Sequence, residues 1–172
     1  MVRLITKIQM VFTQCKMSIK HVRPDKKYRG GVYHPINIDK YVGEGPIICR
    51  SSWERKYCQY CDLKDEVLKW ASEPFQVKYY NPLTKKEHTY YPDFYVKAIT
   101  SSGTIKEYIV EIKPSSYLKK PVQPKRNTEK AISNYKYLYE SFIKNYAKAK
   151  TCKVYAADRN MEYIILTEKS LK

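Results

Sequence analysis

No stretch of this chain stays apolar for long. Residues 1–20 come nearest, but Arg3, Lys7 and Lys16 interrupt them. No segment therefore approaches the ~20 apolar residues that a bilayer span requires. No signal-peptide cleavage pattern follows, and no membrane partner is expected. Cysteine is sparse and odd in number, with Cys15, Cys49, Cys58, Cys61 and Cys152 showing no framework spacing. That argues against a disulfide scaffold and for a reduced, intracellular site of synthesis. Cys58-x-x-Cys61 has no second Cys/His pair at zinc spacing and falls in a helical pattern, so buried thiols are the expectation. Only three histidines occur, His21, His34 and His88, scattered and without a carboxylate motif, so they read as loop residues rather than general bases. Internal repeats are absent.

Acidic residues are also in short supply: 17 Asp+Glu stand against 33 Lys+Arg, a formal net charge of +16. Such an imbalance favours a polyanionic partner, because Lys and Arg contacts to phosphate give sequence-independent affinity through counterion release. The aromatics are dominated by 18 Tyr against 4 Phe, large flat side chains that tolerate water and can stack on bases. At 172 residues the chain is long enough for one core and too short for two comfortable domains. We read residues 1–27 as a basic tail or short helix and residues 28–172 as a single domain.

Residues 21–48 are loop-like, punctuated by Pro24, Gly30-Gly31, Pro35, Gly43 and Gly45-Pro46. Ser51-x-x-Glu54 has the form of a capping box opening a helix to about residue 63. Residues 75–80, 89–98 and 105–113 read as strands, the last two joined by a Ser101-Ser102-Gly103 turn. Residues 114–126 form a proline-containing basic loop with Lys119, Lys120, Lys125 and Arg126. A helical pattern then runs from about 128 to 158, with room for a break, and Asn160 suits a left-handed cap. Residues 161–166 are the last strand. The expected fold is therefore α/β (α+β), a mixed sheet flanked by helices.

The chemistry-bearing segment is Tyr91-Pro92-Asp93-Phe94, followed by Val110-Glu111-Ile112-Lys113. Side chains alternate along a strand, so Glu111 and Lys113 share a face while Tyr108, Val110 and Ile112 fill the other. Adjacent charges on an otherwise buried strand are costly unless neutralised. Asp and Glu oxygens are what Mg²⁺ prefers. Phosphodiester hydrolysis needs an activated water, a Lewis acid on the phosphoryl oxygen and charge stabilisation, the last a task for Lys113.

Pro92-Asp93 and Glu111-x-Lys113 resemble the PD-(D/E)xK nuclease superfamily, which has a restriction-endonuclease-like core. The resemblance implies Glu54, Asp93, Glu111 and Lys113 as catalytic residues. Asp93, Glu111, the Ile112 carbonyl and Glu54 would be ligands of Mg²⁺, with Mn²⁺ expected to substitute. Longer words are similar to the head-completion nucleases of T-even-like tailed phages: Tyr28-Arg29-Gly30-Gly31-Val32-Tyr33-His34-Pro35, Cys49-Arg50-Ser51-Ser52-Trp53-Glu54-Arg55-Lys56, Trp70-Ala71-Ser72-Glu73, His88-Thr89-Tyr90-Tyr91-Pro92-Asp93-Phe94 and Tyr163-Ile164-Ile165-Leu166-Thr167-Glu168-Lys169. Asn145-Tyr146-Ala147-Lys148 resembles an Asn-x-Ala-Lys word of that family. The chain departs from the pattern at Thr89 and at Asn160-Met161.

That family implies a DNA endonuclease acting on packaged DNA in the host cytoplasm during virion assembly, with phage portal or neck proteins as further partners. Expected DNA contacts are Arg50, Lys119, Lys120, Lys125, Arg126, Asn145 and Lys148. Simpler readings exist for the same residues. Glu54 also serves as cap partner to Ser51, Asp93 suits a turn before a strand, Glu111–Lys113 suits an exposed salt bridge, and Asn145 and Lys148 suit a solvated helix face. Rival functions are a transposon end-cleaving subunit or junction resolvase of the same superfamily, and a non-enzymatic plug binding a DNA end or the portal.

Overall fold

The computed structural model describes residues 31–171. The expected tail, residues 1–27, lies outside them. At the centre is a four-stranded mixed sheet in the order β3(Val67–Ser72), β6(Phe94–Ile99), β7(Ile105–Ile112), β8(Glu162–Leu166). Strands β3, β6 and β7 are antiparallel neighbours, and β8 lies parallel to β7. A parallel neighbour needs a crossover, and the helix α2(Glu129–Ala157) supplies it. Two short ribbons flank the sheet: β1(Gly31–Tyr33) with β2(Ile47–Cys49), and β4(Val77–Asn81) with β5(Lys86–Tyr90).

The registers sort side chains onto two faces. Phe94 pairs with Val110 and Val110 with Ile164, and Ile112 pairs with Leu166. These residues pack with Trp70 and with Tyr57, Cys58 and Cys61 of the helix α1(Ser52–Leu63). The opposite face carries Tyr95, Ile109 and Tyr163. There Tyr163 meets Val77, Tyr79 and Tyr90 of the β4–β5 ribbon and Ala147, Cys152 and Tyr155 of α2. Both faces of β7 are thus covered, as expected of a central strand beside a parallel neighbour.

Local chemistry explains the ends of the elements. Ser51 caps α1 by accepting the Glu54 N–H at 3.1 Å, and Glu54 reaches back to accept the Ser51 hydroxyl at 2.8 Å and the Arg50 N–H at 2.6 Å, a variant of the expected capping box. Thr128 caps α2 by accepting the Ala131 N–H at 3.3 Å. Asn160 takes φ 57° just beyond α2, the left-handed conformation asparagine tolerates.

Several sequence expectations need correction. Residues 89–98 form two strands rather than one. Pro92 donates no ladder hydrogen bond, so β5 ends at Tyr90 and belongs to a ribbon, and β6 begins at Phe94 in the sheet. The long helix has no break. Within the loop-like stretch expected at 21–48 lie β1 and the start of β2, β3 is a further strand that the sequence pattern does not mark, and the strand expected at 75–80 runs from Val77 to Asn81. Cys58 and Cys61 are free, fully buried thiols, with Cys58 Sγ 3.6 Å from Cys49 Sγ.

Candidate active site

Asp93 precedes β6, and the Phe94–Val110 pairing brings it opposite Glu111 on β7. The loop is held from both sides. The Asp93 carbonyl accepts the Glu73 N–H at 2.9 Å, and its Oδ2 accepts the Ile112 N–H at 2.7 Å. Glu111 is 2 % exposed. Its Oε1 lies 2.7 Å from Lys113 Nζ, and its Oε2 accepts the hydroxyl proton of Tyr90. Glu111 and Lys113 therefore share a face, as strand alternation requires, and the pair runs from a buried Glu111 to a half-buried Lys113 rather than lying on a solvated edge.

The electrostatics of Asp93 are set first by its burial and then by its carboxylate neighbour. Burial, and next the Glu111 carboxylate, push Asp93 up to about 7, with Glu54 adding to the rise. The Ile112 N–H and Lys113 oppose the shift without cancelling it. Burial works against the Lys113 ammonium, yet Glu111, Asp93 and Glu54 outweigh it and raise its pKa, so Lys113 stays charged at neutral pH.

Lys113 opens onto a cleft of about 430 Å³ between α1, the end of β7 and α2. Its wall includes Trp53, Glu54, Ile112, Tyr117, Asn145 and Lys148. Glu54 enters from the first turn of α1, where its Oε2 also accepts the Arg50 N–H at 2.6 Å. Ser141 and Lys144 complete the α2 wall. With Asn145 and Lys148 they fall at i, i+3, i+4 and i+7, a single helical stripe that sequence reading caught only in part. Lys148 is not a solvated surface residue: its Nζ sits 4.6 Å from the Tyr90 ring centre and 5.6 Å from that of Tyr79. Burial, helped by Lys113, lowers its pKa.

The remaining expected DNA contacts are dispersed. Lys119, Lys120, Lys125 and Arg126 are exposed on the loop leading into α2, with Lys120 Nζ 5.9 Å from the Tyr139 ring centre. Arg50 is forked onto Glu73, one arm 3.1 Å from Oε2, so its charge is already matched. His34 and His88 are exposed and outside the cleft wall.

The residues fit a divalent cation of the Mg²⁺ type. Among the described residues no three of His, Cys, Asp and Glu gather into a ready-made metal cage. Mg²⁺ does not need one, since it is commonly held by one or two carboxylates while keeping waters and taking substrate phosphate oxygens. The elevated Asp93 beside a buried Glu111 marks where positive charge is deficient. Asp93 and Glu111 would hold the ion with the Ile112 carbonyl as a further donor, whereas Glu54 is not gathered with them and its oxygens accept the Arg50 N–H and the Ser51 hydroxyl.

Comparison with known proteins places the chain among endonucleases. Residues 64–168 match the family model described as the TnsA-like endonuclease N terminal, a span that contains Asp93, Glu111 and Lys113. The chain is also 32% identical over 143 residues to the head completion nuclease of Enterobacteria phage T4, covering 83% of this chain and 93% of that protein.

Proposed function

Because the chain belongs to the TnsA-like endonuclease family, we propose that it is a Mg²⁺-dependent DNA endonuclease that acts on packaged DNA during phage head completion. The observation that carries the reading is Asp93 bonded to the Ile112 N–H and Glu111 paired with Lys113, with Ile112 and Lys113 in turn lining a cleft that also carries Lys144 and Lys148. The similarity to the phage T4 protein extends over nearly all of that protein, which favours head completion over a transposon end-cleaving role. A plug without activity would have no use for a buried Glu111 beside a half-buried Asp93, whose desolvation is costly. On this reading the protein works in the host cytoplasm as heads are filled, beside portal or neck proteins.

A cation held by Asp93 and Glu111 would supply Lewis acidity at the scissile phosphate and lower the pKa of a water. The chain's own residues do the rest. Asp93 and Glu111 set the cation's position, and the Ile112 N–H fixes the Asp93 carboxylate. Lys113, an ammonium with Glu111 as partner, offers a fixed donor at the cleft floor for developing negative charge. Asn145 and Lys148 face it across the cleft and would grip the phosphate backbone.

Linear, circular and forked DNA should each be incubated with the protein and Mg²⁺, Mn²⁺ or EDTA. Cleavage with either metal, lost in EDTA and in Glu111→Ala, is the expected result. Undiminished cutting in EDTA, or by Glu111→Ala, would remove the metal from the mechanism. Cutting of none of the substrates would favour the plug.

A further inference from the structure

We infer that Tyr90 is a positioning residue of the active site, orienting Glu111 toward the metal with its hydroxyl while its ring face holds Lys148 in the cleft. The inference rests on the metal-site reading above and adds a residue from outside the central sheet. Tyr90 ends β5, in a ribbon that pairs with no strand of the four-stranded sheet. It is nevertheless 6 % exposed and donates its hydroxyl to Glu111 Oε2.

Glu111 is therefore fixed at both oxygens by donors of different origin, Lys113 two residues along its own strand and Tyr90 from the ribbon. Two anchors determine the plane of the carboxylate as well as its place. Each oxygen has a second lone pair, so anchoring leaves a site open to a cation. Partners of metal ligands act in this way, setting ligand orientation, and their loss commonly weakens metal binding about 10–100-fold.

The second contact is on the ring. Lys148 Nζ lies 4.6 Å from the Tyr90 centroid and 5.6 Å from that of Tyr79, which meets Tyr90 edge-on at 6.4 Å. An ammonium over two aromatic faces is attracted to their negative centres, which restrains Lys148, a half-buried lysine with no ion pair among the described residues. Tyr90 thus couples the ribbon to both walls of the site, β7 through its hydroxyl and α2 through its ring. The two contacts are separable, because Tyr90→Phe removes only the first.

The test is calorimetric titration of the full chain with Mg²⁺ and with Mn²⁺ in the absence of DNA, together with the metal-free melting temperature. Tyr90→Phe is expected to raise the metal dissociation constant about tenfold or more. Replacing Tyr90 with p-aminophenylalanine, which restores a donor at the same position, should recover much of that loss. A buried tyrosine with a purely structural role would lower the melting temperature and leave the dissociation constant alone. An unchanged dissociation constant in Tyr90→Phe overturns the inference. Should Tyr90→Phe fail to fold, Tyr90→p-fluorophenylalanine, which keeps nearly the same ring and size but has no donor, carries the measurement, and an unchanged dissociation constant there overturns the inference. If the unaltered chain takes up neither metal, the metal reading itself fails, an outcome distinct from a Tyr90 variant that binds as well as the parent.

Discussion

The Asp93 carboxylate is tied to the backbone of the strand it faces, its Oδ2 accepting the Ile112 N–H at 2.7 Å between Glu111 and Lys113. One hydrogen bond thus sets the spacing of both carboxylates and of the lysine. It also makes Asp93 structural as well as chemical, and the two roles respond differently to substitution. Asp93→Asn retains an oxygen acceptor for the Ile112 N–H, whereas Asp93→Ala leaves that donor buried without a partner, at a cost of about 1–3 kcal/mol. Both variants should be inactive, and in the metal-free state only the alanine variant should melt measurably below the parent. DNA affinity should persist or rise in both, because a repulsive carboxylate charge is gone. Equal melting temperatures for the two variants would show that the Ile112 contact contributes nothing to stability.

The same site gives a pH dependence whose sign is fixed. Burial and the Glu111 carboxylate hold Asp93 up to about 7, against the pull of the Ile112 N–H and Lys113, while an unfolded aspartate titrates near ~3.9. Between those values the folded chain binds the extra proton. The stabilisation from Asp93 is therefore full below pH ~4 and is lost as pH rises toward 7. In chelator, the melting temperature of the parent relative to Asp93→Asn should fall steadily across that window. Excess Mg²⁺ should abolish the trend, because the cation takes the place of the proton beside Glu111. A difference that grows with pH in chelator would contradict the assignment.

How much of this was legible in sequence depended on the range of the interaction. Glu111 and Lys113 were placed together by strand period alone, and Ser51 with Glu54 by the spacing of a helical turn. Asp93 was legible as a motif residue, but its hydrogen bond to Ile112 depends on the β6–β7 register. Tyr90 was hidden for a stronger reason. Residues 89–98 looked like one strand, and only the break at Pro92 sends β5 out of the sheet and its tyrosine back onto Glu111. Strand β3 lacked clean alternation because Trp70 and Ala71, adjacent in sequence, are buried on opposite faces. The three-residue strands β1 and β2 are too short to show a period at all. Arg50 looked available to DNA, and its pairing with Glu73 arises only where α1 and β3 come together.

The exposed lysines of the loop before α2 offer a test of how DNA is held. Lys119 and Lys125 have exposed positions on that loop, and they would meet phosphates rather than base edges. Each lost phosphate contact flattens the slope of log affinity against log salt by about 0.9. Lys119→Gln with Lys125→Gln should thus flatten the slope by about two units and weaken binding alike across DNA sequences. An unaltered slope would move the DNA path to another face of the molecule.

Lys113 separates chemistry from charge. It is two-thirds or more buried, its ammonium lies 2.7 Å from Glu111 Oε1, and the surrounding carboxylates keep it protonated. If it contributed only to the basic field, Lys113→Arg would be nearly silent, since the charge is conserved. A guanidinium is wider and planar, however, and cannot occupy the place of a compact ammonium between Glu111 and the cleft. Positioning at a reacting centre tolerates little displacement, and loss of one preorganised donor commonly costs about a hundredfold or more in rate. Single-turnover cleavage by Lys113→Arg should therefore fall by about two orders of magnitude, and by at least as much in Lys113→Ala. DNA affinity should hardly move, because one internal cation among the 33 Lys+Arg residues adds little to the outer field. Lys113→Ala should in addition leave Glu111 with Tyr90 as its remaining anchor and lower the stability of the metal-free chain. Near-normal cutting by the arginine variant would reduce Lys113 to a neutralising charge and leave Asp93 and Glu111 to carry the chemistry with the metal alone.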